Sequence, residues 1–264
     1  MPKINDITSF TVITAAIFTI VVVRYFIAAG VFHLLFYTSK SSKWNSRKVN
    51  QQAYKKGQFQ KEIKWSIVSS LIFAVAGTLT VWLWQQGKTQ IYEELGWLDI
   101  IYIPVSLGVA MFLHETYYYW VHKAMHHPGV FRYVHKVHHE SLISSPWTAF
   151  SFHPLEALLE AVILPLILIV IPMHPLAILL HLIVMTLSSV INHLDIEIYP
   201  KNFENHWLGK WIIGATHHSL HHKDFKTNYG LYFTFWDKWM ATENGNFNKV
   251  FKEKSRQKIF SAGG

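Results

Sequence analysis

The chain has 264 residues, 51% of them hydrophobic, 16% aromatic and only 15% charged, with 24 Lys+Arg against 16 Asp+Glu and a formal net charge of +8. Ordinary soluble domains are about 25% charged, so this balance excludes a disordered chain and argues against a purely soluble one. There is no cysteine and there are 17 histidines. That excludes disulfides, CxxC redox pairs, thiolate zinc, cysteine-bound iron–sulfur clusters and thiolate haem, and leaves histidine and carboxylate for any metal or redox chemistry.

Charge-free apolar runs set the organisation. Residues 7–38 are apolar except for Arg24 near the middle. They predict an anchor rather than a removed signal: either one long tilted span whose arginine faces protein, or a span plus an interfacial piece. The loop 39–64 is basic, with Lys40, Lys43, Arg47, Lys48, Lys55, Lys56, Lys61 and Lys64 against one acid, Glu62. Residues 65–84 are uncharged with a tryptophan at each end, which matches the roughly 20 residues of a membrane-crossing helix with interfacial anchors. The connection 85–98 has Lys88 against Glu93 and Glu94. A third apolar segment, 98–121, turns aromatic and polar after Leu113, in HETYYYWVH. Segments 155–171 and 176–191 are separated only by Pro172-Met173-His174-Pro175 and predict a tight helical hairpin.

The positive-inside rule makes the 39–64 loop cytoplasmic. Counting crossings onward, residues 122–153 and 193–222 fall on that same side, with a basic tail 245–264 carrying Lys249, Lys252, Lys254, Arg256 and Lys258. The expected fold is therefore an all-α integral membrane protein. It has four to five transmembrane helices and a cytoplasmic helical cap holding a histidine-rich dimetal site. The basic residues are accounted for by topology and by anionic lipid or an acidic carrier, and give no support for nucleic-acid binding.

Sixteen of the 17 histidines lie between His114 and His222. His122 and His126 form an H-x3-H box, and residues at i and i+4 share a helix face. His135, His138 and His139 form an H-x2-HH box, repeated by His218, His221 and His222. Neighbours in a helix diverge by about 100°, so each adjacent pair can turn one ring to each of two ions. With His193 at the cytoplasmic end of the hairpin there are nine candidate metal ligands, too many for one tetrahedral ion. Imidazole suits zinc, copper, iron and nickel alike. His127 and His217 abut boxes and are either spare ligands or support. His153 is a ligand, pocket or structural residue, and His114 is best read as an interhelical hydrogen bond. His33, His174, His181 and His206 read as structural.

At these residues the chain resembles the sterol desaturase / fatty acid hydroxylase superfamily, integral-membrane non-haem diiron oxygenases, over roughly residues 112–244. The resemblance includes Glu115 ahead of the first box, Tyr133-Val-His-Lys-Val-His-His-Glu, Asn228-Tyr229-Gly230 and Trp236-Asp237-Lys238. The stretch Ser145-Pro-Trp-Thr-Ala-Phe-Ser-Phe-His-Pro is most similar to the sterol C5-desaturase branch. Lys123, Lys238 and Ala241 depart from residues more common in the family, and no box histidine is affected.

The resemblance implies an N-terminal membrane anchor (1–111), a catalytic domain (112–244) and the basic tail. It implies two iron ions, replaceable by zinc in purified protein, with O2 as co-substrate. It also implies hydroxylation or desaturation of a membrane lipid, and electrons from a partner such as a ferredoxin or cytochrome b5 with its reductase. Glu115, Asp195, Asn228 and Asp237 are expected to orient imidazole N–H groups. The alternatives are a histidine-rich transporter of divalent metal, which places its ligands midway along its spans, and a metal-binding scaffold.

Overall fold

The computed structural model describes residues 2–38 and 42–256; Lys40 and Lys258 of the basic segments lie outside them. Among the described residues every element is helical: α1 (Ile7–His33), α2 (Ser42–Asn45), α3 (Gln58–Gln85), α4 (Trp97–Met125), α5 (Pro128–Val134), α6 (Lys136–His139), α7 (Pro154–Val170), α8 (Pro175–Asn192), α9 (Ala215–Asp224), α10 (Phe235–Trp239) and α11 (Phe247–Arg256). Four segments of the described residues are long and apolar enough to cross a membrane: Ile7–Thr38, Gln58–Gln85, Trp97–Met125 and Pro175–Asn192. The helix α7, 17 residues and about 26 Å long, is a shorter fifth member that packs against α3 and α4, while α8 packs against α4 and α1, so the two are joined by a tight turn without pairing as the expected hairpin.

The long helices carry apolar side chains on every side, so apolarity alone does not select a packing face in lipid. Small residues do. The buried stripe of α3 is Ser66, Ser69, Ser70, Ala74 and Thr78; α3 packs there against α1, and the Ser66 and Ser69 hydroxyls donate to the carbonyls of Trp147 and Phe152. There the Thr14 and Thr78 hydroxyls meet at 2.9 Å. The opposite flanks expose Ile20, Val23, Ile27 and Val31 of α1 and Leu71, Val75 and Leu79 of α3, the band expected against acyl chains. The first segment is one continuous span that ends in a π-helical turn, Leu34–Thr38, and Arg24 is half-buried in it.

The two ends of the bundle differ. At one end the α3–α4 connection meets the turn between α7 and α8, with Gln90 N–H donating to Leu168 C=O at 2.7 Å and Met173 N–H to Gln90 C=O at 3.3 Å. At the other end lie the basic loop, all three histidine boxes and α11. The loop is built into this cap: Val49 N–H donates to Asp195 C=O, and Glu197 N–H to Arg47 C=O. Arg47, counted in the sequence as a solvated loop charge, is 4% exposed and donates to the carbonyls of Tyr199, Lys254 and Ser255. Glu62 is likewise buried, because α3 starts at Gln58, inside the expected loop. Its carboxylate accepts from Ser141 Oγ at 2.7 Å and Ser145 Oγ at 2.6 Å, which fastens the chain after the second box to α3.

Candidate metal centre

The helix α4 ends with His122 in its last turn and His126 just beyond. His135 stands at the kink between α5 and α6, and α6 presents His138 and His139. His193 follows the last residue of α8, and α9 supplies His218, His221 and His222. These nine side chains form two groups: His122, His126, His135, His139 and His221, and His138, His193, His218 and His222. Within each group one nitrogen per ring lies within 4.8 Å of all the others. The adjacent pairs divide between the groups: the His138 and His139 rings are 87° apart, and those of His221 and His222 are 86° apart.

The ring protons fix what the groups can bind. His122 Nδ1 faces Tyr229 C=O at 2.8 Å, and His135 Nδ1 faces a Glu156 oxygen at 2.6 Å. His138 Nδ1 faces Ser151 C=O at 3.3 Å, His193 Nδ1 faces Ser189 C=O at 2.7 Å, and His221 Nδ1 faces Thr227 C=O at 2.7 Å. A carbonyl or carboxylate only accepts, so each of these rings carries its proton on Nδ1 and turns a bare Nε2 lone pair inward.

The Nε2 atoms of His122 and His135 are 3.0 Å apart, and those of His138 and His193 are 3.1 Å apart. Lone pairs at this distance repel, and a cation between them reverses the sign. The spacing is that of nitrogens bound about 2.1 Å from one ion at roughly right angles. Protonation is a poor substitute. Burial pushes His193 and His221 down to about 4. Burial, with the neighbouring imidazoles, also pushes His126, His135, His138, His139, His218 and His222 below the ordinary histidine value. The residues thus fit metal ions bound through neutral imidazole.

None of Glu115, Asp195, Asn228 and Asp237 touches a ring nitrogen, contrary to the expected role; Glu115 and Asp237 hold a backbone segment that does. Glu115 accepts from the N–H groups of Leu231, Tyr232 and Phe233, and Asp237 from those of Tyr229 and Gly230. Together they place the Tyr229 carbonyl at His122. A Cβ on Gly230 would lie 2.8 Å from Glu115 Oε1 and 2.6 Å from Phe233 C=O, so this close approach requires glycine. Asp195 ties Asn50 of the loop to Ser219 of α9, and Asn228 Nδ2 donates to His217 C=O. Phe225, at φ 61°, reverses the chain after α9 and so brings Thr227 to His221.

The sequence reading missed Glu156. Its signal was present: Glu156 and Glu160 are the two acids, four residues apart, in an otherwise uncharged apolar helix. The carbonyl partners had no signal, since every residue has one.

The remaining histidines lie outside both groups. His127 and His153 accept from N–H groups at the starts of α5 and α7, as His174 does for α8, and His206 accepts from Leu208 N–H. His217 stacks on Phe247, with ring centroids 3.6 Å apart. His114 Nδ1 meets His181 Nε2 at 3.0 Å, the interhelical bond expected from sequence. His33 accepts from Trp147 Nε1.

A helical membrane protein with two imidazole-lined groups at one end of its bundle is the class that fold and site define. The chain belongs to the fatty acid hydroxylase family, whose match covers residues 107–242. It is 30% identical over 205 residues to the Delta(7)-sterol 5(6)-desaturase erg3C of Aspergillus fumigatus, covering 70% of this chain and 62% of that protein. It is 27% identical over 186 residues to the lathosterol oxidase of Homo sapiens, covering 69% of this chain and 60% of that protein. The chain thus spans about 60% of the length of these relatives. No solved structure matches it.

Two outcomes test the centre. Glu156→Ala removes the acceptor that fixes His135, and metal affinity measured by competition with a chelator should fall roughly 10- to 100-fold; unchanged affinity contradicts the role. The metal-free protein should also lose stability in acid. Imidazoles held neutral by the fold cost nothing at pH 7, where the unfolded chain is neutral too. Below about pH 6.5 the unfolded chain takes up protons that the fold refuses. The thermal midpoint in detergent should fall from about pH 6.5 towards pH 4, and a flat profile contradicts this.

Proposed function

We propose that this chain is a membrane-bound diiron oxygenase that hydroxylates or desaturates a lipid, with O2 as co-substrate and electrons from a separate carrier. The observation that carries the reading is the facing pairs of bare Nε2 lone pairs, in two imidazole groups of a family member. His122, His126, His135, His139 and His221 would hold one ion, and His138, His193, His218 and His222 the other. Two iron ions there would supply the O2-derived oxidant that takes hydrogen from an unactivated C–H bond.

The chain's own groups keep that centre in register. Tyr229, Ser151, Ser189 and Thr227 carbonyls and Glu156 hold the ring protons outward. Eight of the nine rings are buried and His126 is half-buried, which limits the access of bulk water to the centre. The groups sit at the ends of α4 and α8 rather than midway along them, which suits a lipid reaching in from the bilayer and not an ion crossing it.

The names of the relatives point to a sterol as the lipid. The basic loop and α11 share the histidine end, which under the positive-inside rule supports a cytoplasmic setting for it and electron supply by a ferredoxin or by cytochrome b5 with its reductase.

His138→Ala and His221→Ala, one from each group, are expected to remain folded in detergent, to bind less metal and to lose at least 100-fold of O2-dependent lipid oxidation. Lipids extracted from expressing cells, with and without oxygen, provide the readout. Retained oxidation in both variants overturns the proposal.

A further inference from the structure

The metal centre uses only part of the acid on α7. Glu156 gives one oxygen to His135, and its Oε2 is buried without a partner. Glu160, one turn further into the bundle on the same face, has its Oε1 buried, and neither of its oxygens has a partner among the described residues. Across from them on α4, beside the Tyr117 that meets Leu159 C=O of α7, Tyr118 is buried, and the titratable groups that act on its hydroxyl are Glu160, Glu156, Glu115 and Tyr232. That hydroxyl too has no hydrogen-bond partner among the described residues. Tyr117 Oη donates to Leu159 C=O at 2.8 Å and holds the two helices together at this level.

Tyr118 precedes His122 by one turn, with ring centroids 5.1 Å apart, just as Glu160 follows Glu156 by one turn. Tyr118 and Glu160 therefore lie about 6 Å deeper in the bundle than the histidines, with Glu156 between them and the ligand His135. Glu160 is half-buried, and its α7 neighbours Leu158, Leu159 and Val162 are exposed apolar residues.

Unpaired carboxyl oxygens in an apolar bundle are costly and ask for a donor. A metal cation is the weaker candidate, because no third ligand converges on the pair among the described residues. A hydroxyl answers both sides of the cluster: it donates to a carboxyl oxygen and accepts from Tyr118 Oη–H. The exposed apolar neighbours make the bilayer its source.

We propose that Tyr118, Glu156 and Glu160 form the docking site for the hydroxyl of a lipid alcohol, holding it one turn below the five-histidine group. The purpose assigned to this site rests on the lipid-oxygenase reading, but its existence does not.

The test is equilibrium binding to purified, metal-free protein in detergent, in two arms: cholesterol against cholesteryl methyl ether, and octadecanol against octadecyl methyl ether. The wild type is expected to bind the free alcohol at least 10-fold more tightly than the ether in one arm or both, and the arm identifies the lipid. Glu160→Leu and Tyr118→Phe should each erase that preference, and Glu160→Gln, which keeps an acceptor, should retain part of it. If Glu160→Leu fails to fold, Tyr118→Phe and Glu160→Gln carry the comparison.

Equal binding of alcohol and ether by the wild type, or a preference that survives Tyr118→Phe and Glu160→Leu, overturns the site. Because no metal is present, an alcohol preference in a protein without turnover counts against the oxygenase reading alone. Turnover without an alcohol preference counts against the docking site alone.

Discussion

The structure depends on one repeated interaction, an imidazole Nδ1–H held by a fixed oxygen. Where that bond is made, the ring has one tautomer and one direction, and its other nitrogen is a lone pair aimed inward. Five of the nine rings are set this way. Pointing so many acceptors at one another is unfavourable without a cation, so the fold stores a demand for metal.

That demand is met by elements far apart in sequence, and buried acids hold them in place. Glu62 fastens the segment after the second box to α3, Glu115 and Asp237 shape the turn at Tyr229, and Asp195 joins the basic loop to α9. Each carboxylate collects several hydroxyl or N–H donors, which is how a buried acid becomes tolerable. The basic loop, which by charge alone looks like a membrane-facing patch, is partly a clamp, since Arg47 caps the backbone carbonyls of Tyr199, Lys254 and Ser255.

Much of this was legible in the sequence, for identifiable reasons. Spans such as 65–84 announce themselves by the absence of charge, and the nine box histidines by helical spacing, because both signals are local. The division of His138 from His139 and of His221 from His222 follows from the 100° step of the helix. What the sequence hid is non-local. Asp195, Asn228 and Asp237 lie near the boxes along the chain, yet they act on neighbouring backbone and side chains and not on a ring nitrogen directly. Arg47 and Glu62 look solvated until the cap folds over them. Glu156 was visible as an acid in an apolar helix, but its partnership with His135 depends on how α7 packs against the α5–α6 kink.

The central claim is that two groups of neutral imidazoles each hold one ion, and metal stoichiometry tests it most directly. Calorimetric titration of the metal-free protein with ferrous iron, without oxygen and near pH 7.5, should give two equivalents per chain, with release of few protons because the rings are already neutral. A single equivalent, or none, would contradict the account.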